Sequence, residues 1–185
     1  MSVSEAMRYI HGNSARDYNL RKTREGSFWR GRYHPTMIQD GAHLSRCLFY
    51  IDMNMVRAGE CKHPSEWAES GYHELIGKRQ RYRIVNTAQL LECLSHKGEK
   101  EEFKEWYDRT LEDYIKCNYH AREGMWTESL AIGKKEWLLE LGKGIHGLEL
   151  KAIDKSYFRV GEKTSLYILS GASRAKEAFW KKHQE

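Results

Sequence analysis

The sequence predicts an α+β protein that is predominantly helical. Its clearest element is an apolar repeat between Phe103 and Ile115, whose spacings of three and four residues are typical of an amphipathic helix. The segment Ser27–Ile38, by contrast, is rich in aromatic residues and indicates a strand. With 185 residues, of which 40% are hydrophobic and 12% aromatic, the chain is long and apolar enough to bury a core.

The N-terminal part is predicted to form one helix and then one strand. The helix covers Ser4–Arg24 and ends before Gly26, a residue that favours helix ends. Within the strand Ser27–Ile38, Pro35 cannot donate a hydrogen bond to a neighbouring strand, so it predicts an edge position or a bulge.

A second helix is predicted over Asp40–Ala58. Asp40 is a favourable N-cap residue, and Gly59 favours termination. Residues 60–83 are loop-like, and a shorter helix follows, capped by Asn86 or Thr87 and running through Leu94.

The C-terminal part is predicted to be mainly helical. Its helices cover Glu99–Arg122, Lys134–Gly142 and the basic stretch Ala172–Lys182. We therefore divide the chain into a first domain at 1–77, with one or two strands and the second helix, and a helical extension at 78–185.

Several function classes are excluded by motif searches. The four cysteines form no C-x-x-C pair, so a zinc ribbon has no ligand framework, and we expect reduced thiols. No phosphate-binding P-loop, dinucleotide-binding glycine motif or H-E-x-x-H zinc motif is present. No apolar run reaches the length of a membrane span and no signal peptide is evident, so we expect a cytoplasmic, nucleoid-associated protein with no membrane partner.

Positive charge is concentrated near the N-terminus. The formal net charge is +5, and residues 1–39 hold seven bases against three acids, a net charge of +4. Aromatic residues lie among these arginines, a pattern that suits single-stranded nucleic acid, because bases stack on rings while phosphates pair with guanidinium groups. A solvated basic surface with aromatics in a core is the other interpretation. The candidate DNA-binding residues here are Arg16, Arg21, Lys22, Arg24, Arg30 and Arg32.

Two stripes run along the helix predicted over Asp40–Ala58. At about 100° per residue, the members of each stripe lie within about 100° of one another. The apolar stripe, which we predict to face the core, contains Leu44, Cys47, Leu48, Ile51 and Met55. The polar stripe contains His43, Arg46, Tyr50, Asn54 and Arg57.

The polar stripe has the groups needed to hold and attack a phosphodiester. Guanidinium groups of Arg46 and Arg57 could bind the phosphate, and the phenol of Tyr50 could act as the nucleophile once deprotonated. The Asn54 carbonyl, one turn later, could reach a metal at the same phosphate. The same spacing also fits an ordinary solvated helix face with one boundary tyrosine.

Several segments together resemble one family. They are Gly26–Tyr33 (GSFWRGRY), Ile38–Leu44 (IQDGAHL), Tyr50–Gly59 (YIDMNMVRAG), Trp67–Tyr72 (WAESGY) and, more weakly, Met125–Ser129 with Ala131–Gly133. This set is similar to the REP-associated branch of the IS-type single-tyrosine transposases of the HUH superfamily. The similarity covers roughly residues 5–75 well and 120–140 weakly. It implies the C-terminal part of a single-tyrosine transposase domain followed by the helical extension.

The resemblance implies a role for each matching residue. Tyr50 matches the family's nucleophile, which forms a 5′-phosphotyrosine link to single-stranded DNA. Asn54 matches the position that helps to hold Mg²⁺ or Mn²⁺, and Arg30 and Arg32 match a basic strand near the DNA. The implied partner is single-stranded or hairpin DNA.

The sequence departs from the family pattern in two places. Met55 replaces the proline that usually follows the asparagine. The family's metal is held chiefly by a His-hydrophobic-His pair upstream of the matched segments, whereas no two of the nine histidines here are separated by one residue. His43 and His34 are the candidate substitutes. We therefore expect a truncated transposase with impaired strand cleavage, a doubtful metal site, and activity that depends on a homodimer or a complementing transposase chain.

Two other functions remain open at this point. One is a catalytically inactive module that binds hairpin DNA. The other is a helical protein-interaction module whose partner surface is the apolar face from Phe103 to Ile115.

Overall fold

The computed structural model describes residues 2–31, 33–79, 82–116, 122–153 and 165–183. The protein is α+β, about 53% helical, with a small four-stranded mixed sheet. It divides into two compact units, an N-terminal unit (Met1–Pro35) and a C-terminal unit (Thr36–Glu185). The predicted domain boundary at residue 77 stays a prediction.

The N-terminal unit is built on helix α1, Val3–Arg21. The N-terminus of α1 has a capping box. The Ser2 hydroxyl accepts a hydrogen bond from the Glu5 backbone N–H, and the Glu5 carboxylate accepts one from the Ser2 backbone N–H. The predicted helix over 4–24 is thus confirmed, with its end three residues early. No residue of α1 is buried.

The segment after α1 folds back onto the helix. Trp29 stacks on His11 with ring centroids 4.4 Å apart, and its indole N–H donates to the His11 carbonyl at 3.0 Å. Phe28 packs against Tyr18 at 4.7 Å. The predicted strand over 27–38 is wrong for the described residues 27–31 and 33–36, because Phe28 and Trp29 pack on a helix instead of pairing with another strand. Only β1, Met37–Ile38, is extended and paired.

The sheet lies in the C-terminal unit and has the strand order β1-β2-β4-β3. Strand β2 is Ala131–Gly133, β3 is Leu148–Ala152 and β4 is Tyr167–Gly171. β1 is parallel to β2, whereas β4 is antiparallel to both β2 and β3. Three of the four strands therefore follow residue 130, in the part predicted to be mainly helical.

Two helices cover this sheet. They are α8, Lys135–Gly142, and α9, Ser173–Lys182, close to the predicted bounds. Leu138 of α8 and Phe179 of α9 are fully buried in a cluster with Leu169 of β4. Gly133 is needed where β2 meets α8, because a Cβ there would lie 2.5 Å from the ring of Trp137.

A helical layer forms the second core of the C-terminal unit. It consists of α2, Ala42–Asp52; α3, Asn54–Arg57; α4, Tyr72–Leu75; α5, Thr87–Cys93; α6, Lys100–Lys116; and α7, Met125–Glu128, with a 3-10 turn at Pro64–Glu66. Phe49 and Met53 pack here against Phe103, Tyr107 and Leu111 of α6. The apolar repeat on α6 is thus part of the core. The predicted continuation of α6 to residue 122 lies partly outside the described residues.

The second predicted helix is interrupted at Met53 and begins differently from the prediction. Gly41, with φ of 78°, occupies the N-cap position, and no side chain caps the helix, so the prediction of Asp40 as cap is wrong. Glycine fits there because a positive φ is strained for other residues. Within the described residues, no helix combines the length and apolarity needed to cross a membrane.

The buried face of α2 differs from the predicted apolar stripe. Ile51, expected in the core, is 57% exposed, whereas Phe49 and Met53 on the other side are almost fully buried. Cys47 is buried as predicted, in a separate cluster with Trp126 and Ile132. The prediction was wrong for Ile51 because packing of α6 selected a face that apolar spacing on α2 alone did not reveal.

Candidate functional site around Tyr50

Tyr50 and Arg57 are in direct contact on the polar face of α2 and α3. The guanidinium carbon of Arg57 lies 3.9 Å from the centre of the Tyr50 ring. Both side chains are half-buried. A guanidinium over an aromatic face is attracted by the ring's electrons, and it still presents N–H groups at its edge.

Asn54 holds Arg57 in this position. Its side-chain oxygen accepts a hydrogen bond from Arg57 Nη2 at 3.2 Å. Asn54 itself is exposed. The three residues predicted from spacing as a group, Tyr50, Asn54 and Arg57, are therefore neighbours in the structure.

Arg46 has a different environment. It forms a buried ion pair with Glu123, with Nη2 and Oε1 separated by 2.9 Å and the two side chains 9% and 3% exposed. The indole N–H of Trp126 also donates to the Glu123 carboxylate. Because its charge is balanced inside the protein, Arg46 supports the site from within instead of offering its charge to DNA.

These groups line a small recess beside Tyr50. The wall is formed by Arg46, Phe49, Tyr50, Met53, Arg57, Tyr114 and Glu123. The Tyr50 ring also packs against Trp126, with centroids 5.9 Å apart.

His43 lies at the other end of α2, seven residues and about 10 Å of helix rise from Tyr50. It is 4% exposed, and its Nε2 has no hydrogen-bond partner within the described residues. Burial, with the nearby charges of Lys134 and Arg46, lowers the pKa of His43 to about 4. His43 is therefore neutral near pH 7.

In the described parts of the chain, no three His, Cys, Asp or Glu side chains lie together in a way that could hold a metal ion. The one oxygen expected to bind metal, that of Asn54, already accepts a hydrogen bond from a cation. Burial and the nearby Glu123 raise the pKa of Cys47 to about 11, so this thiol stays protonated near pH 7.

One functional candidate was missed from the sequence. Asp52, two residues after Tyr50, is buried and accepts hydrogen bonds from the hydroxyls of Tyr107 at 2.7 Å and Ser70 at 3.3 Å. Ser70 belongs to the segment Trp67–Tyr72, which follows α3 in the chain. Asp52 thus anchors that segment to the helix. The sequence feature that could have identified Asp52 is an aspartate two residues after Tyr50.

The basic residues predicted to bind DNA at the N-terminus belong to the N-terminal unit. Arg21 pairs with Asp17 at 2.8 Å, and Arg16 donates to Asn13 at 3.0 Å, both on exposed surface. Arg24 donates to the Ser27 carbonyl at 3.1 Å. Lys22 and Arg30 are exposed, and Arg32 lies outside the described residues.

No family model, curated protein or solved structure matches the chain. The similarity to the single-tyrosine transposases therefore rests on the sequence motifs alone. Membership of that family and its DNA chemistry are proposals for this chain.

Proposed function

We propose that this is a DNA transposition-related protein that binds single-stranded or hairpin DNA, with impaired strand cleavage. The observation that carries the proposal is the contact of Arg57 with the ring of Tyr50, 3.9 Å from its centre. It puts a half-buried cation beside the one side chain that the transposase motif assigns as nucleophile.

The geometry at Arg57 suits a phosphodiester. One guanidinium nitrogen donates to Asn54, and the planar group has five N–H donors in all, so others remain for phosphate oxygens. A phosphate held there would lie beside the phenol of Tyr50, while a neighbouring base could stack on exposed aromatic surface.

The N-terminal unit supplies further support. Lys22 and Arg30 are exposed, and the indole of Trp29 is 41% exposed while it stacks on His11. Exposed cations beside a fixed aromatic ring are the elements that bind single-stranded nucleic acid with little sequence preference. We assign this unit to contacts with phosphates and unpaired bases.

The cleavage step places a further demand on the site. In the family reaction the Tyr50 oxygen would bond to phosphorus, the phenol would lose its proton, and the departing 3′-oxygen would gain one. The described residues do not form a site that fits the metal implied for this step. We therefore propose that this chain by itself binds DNA without efficient cleavage.

A protein-interaction role has less support from the packing. Phe103, Tyr107 and Leu111, on the face predicted as a partner surface, have no exposed area because they fill the helical core. These three side chains are unavailable to a partner in the folded protein, whereas Trp106 of the same helix is 38% exposed.

Binding to a labelled DNA hairpin at about 50 and 200 mM salt tests the proposal. We expect the affinity to fall steeply with salt, and Tyr50→Phe to bind as well as the wild type. In a nicking assay with Mn²⁺, we expect no product that depends on Tyr50. Cleavage that is robust in the wild type and lost in Tyr50→Phe would refute impaired cleavage, whereas absence of salt-dependent binding would refute the DNA-binding role.

A further inference from the structure

We propose that Arg57, oriented by Asn54, supplies the positive charge that a divalent metal supplies to the DNA phosphate in the transposases. Phosphate binding beside Tyr50 is then independent of divalent cations. This inference rests on the proposed DNA-binding function and assigns the group that contacts the phosphate.

The charge of Arg57 is available, unlike that of Arg46. Arg46 is paired with the Glu123 carboxylate, which also accepts the Trp126 N–H. Across the described residues, Arg57 forms no ion pair with a carboxylate, and its hydrogen bond goes to the neutral amide of Asn54. A half-buried guanidinium with an uncompensated charge favours an anionic ligand.

The position of Asn54 is explained by this role. A metal bound to its side-chain oxygen would lie next to the guanidinium that the same oxygen holds at 3.2 Å, and the two cations would repel each other. As an acceptor for Arg57, in contrast, Asn54 fixes one edge of the guanidinium. The Tyr50 ring limits the movement of its face. The arginine is thereby pre-organised, which reduces the entropy lost when a phosphate binds.

The first test compares two arginine variants in hairpin DNA binding, measured by fluorescence anisotropy in EDTA. Arg57→Gln is expected to weaken binding about tenfold and to lower the salt slope by about 1, because one phosphate contact is lost. Arg174→Gln, which removes the same charge from the exposed surface of α9, is the matched control and is expected to bind like the wild type. Circular dichroism establishes that both variants are folded.

The second test separates a metal ligand from an acceptor for Arg57. Asn54→Asp adds a carboxylate at an exposed position, so it is not expected to disturb folding. If Asn54 orients Arg57, the carboxylate neutralises the guanidinium and weakens DNA binding equally in EDTA and in Mn²⁺. If Asn54 binds metal, the carboxylate strengthens that site, and Mn²⁺ improves DNA binding. Calorimetry with Mn²⁺ alone on both proteins gives an independent reading, in which we expect no binding.

The outcomes distinguish this inference from the function on which it rests. Wild-type binding that is the same in EDTA and in Mn²⁺, to within about twofold, and that weakens about tenfold with Arg57→Gln, supports the inference. Wild-type binding that requires Mn²⁺, or that survives Arg57→Gln unchanged, overturns it and leaves DNA binding in place. Failure of the wild type to bind the hairpin under any condition overturns both.

Discussion

The hydroxyl of Tyr107 donates a hydrogen bond of 2.7 Å to the carboxylate of Asp52, and this bond joins α6 to the helix that carries Tyr50. Both residues are buried, and burial raises the pKa of Asp52 while hydrogen bonds from Tyr107 and Ser70 act in the opposite direction. The stability of the tyrosine helix therefore depends on a polar contact inside the core.

Tyr107→Phe removes this hydroxyl and almost no volume. We expect the free energy of unfolding to fall by about 1–3 kcal/mol, because Asp52 loses a buried donor. Urea denaturation measures the change. Tyr9→Phe, at an exposed position of α1, is the matched control and is expected to have little effect. A Tyr107→Phe protein as stable as the wild type would show that Asp52 is satisfied without α6.

The Arg46–Glu123 pair predicts a strong asymmetry between single and double variants. Glu123→Gln removes the carboxylate charge that pairs with the buried Arg46, so we expect a loss of about 3 kcal/mol in the free energy of unfolding. Changing both residues, Arg46→Met with Glu123→Leu, removes both charges and is expected to cost less than the two single changes together.

The control for that pair is the exposed Glu128, which lies 3.8 Å from Arg122. Glu128→Gln is expected to change stability by less than about 0.5 kcal/mol, because water screens an exposed pair. Equal effects of Glu123→Gln and Glu128→Gln in denaturation experiments would contradict the assigned role of the buried pair.

His43 predicts a pH dependence of stability. Its pKa is lowered in the folded protein from 6.5 to about 4, mainly by burial. The folded state thus binds the His43 proton less readily than the unfolded state, so this contribution is complete above pH 6.5 and is lost as the pH falls towards 4. It amounts to at most about 3 kcal/mol.

The variant His43→Gln isolates this effect. We expect the difference in unfolding free energy between wild type and variant to shrink as the pH is lowered through that window. His146→Gln, at an exposed position, is the matched control variant. A flat difference for His43→Gln would mean that folding does not change the pKa of His43.

The basic N-terminal unit makes a prediction for salt dependence. The double variant Lys22→Gln and Arg30→Gln removes two exposed charges, and we expect hairpin binding to weaken and the salt slope to fall by up to about 2. Lys143→Gln with Lys151→Gln removes two exposed charges from the C-terminal unit as a control. If both double variants lowered the slope equally, binding would depend on net charge rather than on the N-terminal unit.

Much of the helical structure could be predicted because its signals are local. The apolar repeat from Phe103 to Ile115 and the capping residue Asn86 depend on neighbours within one or two turns. The grouping of Tyr50, Asn54 and Arg57 follows from helical spacing in the same way, since the interruption at Met53 leaves them on one face.

The sheet was harder to predict for a physical reason. Strands β1 and β2 are two and three residues long, too short to show an alternating pattern. Their pairing joins Met37 to Ala131, two residues that are far apart in the sequence. The aromatic residues Phe28 and Trp29 suggested a strand, but in the structure their rings pack against Tyr18 and His11 of α1.

The sequence by itself determined where most helices lie, which residues share the face of Tyr50, and where positive charge is concentrated, because these properties follow from spacing and composition. Tertiary structure alone decided which face of α2 is buried, that Arg46 is neutralised by Glu123 77 residues away, and that Asp52 joins α6. Those outcomes depend on contacts between distant segments, which no local pattern specifies. Of the two arginines that flank Tyr50 on one stripe, packing buried the charge of one and left that of the other available.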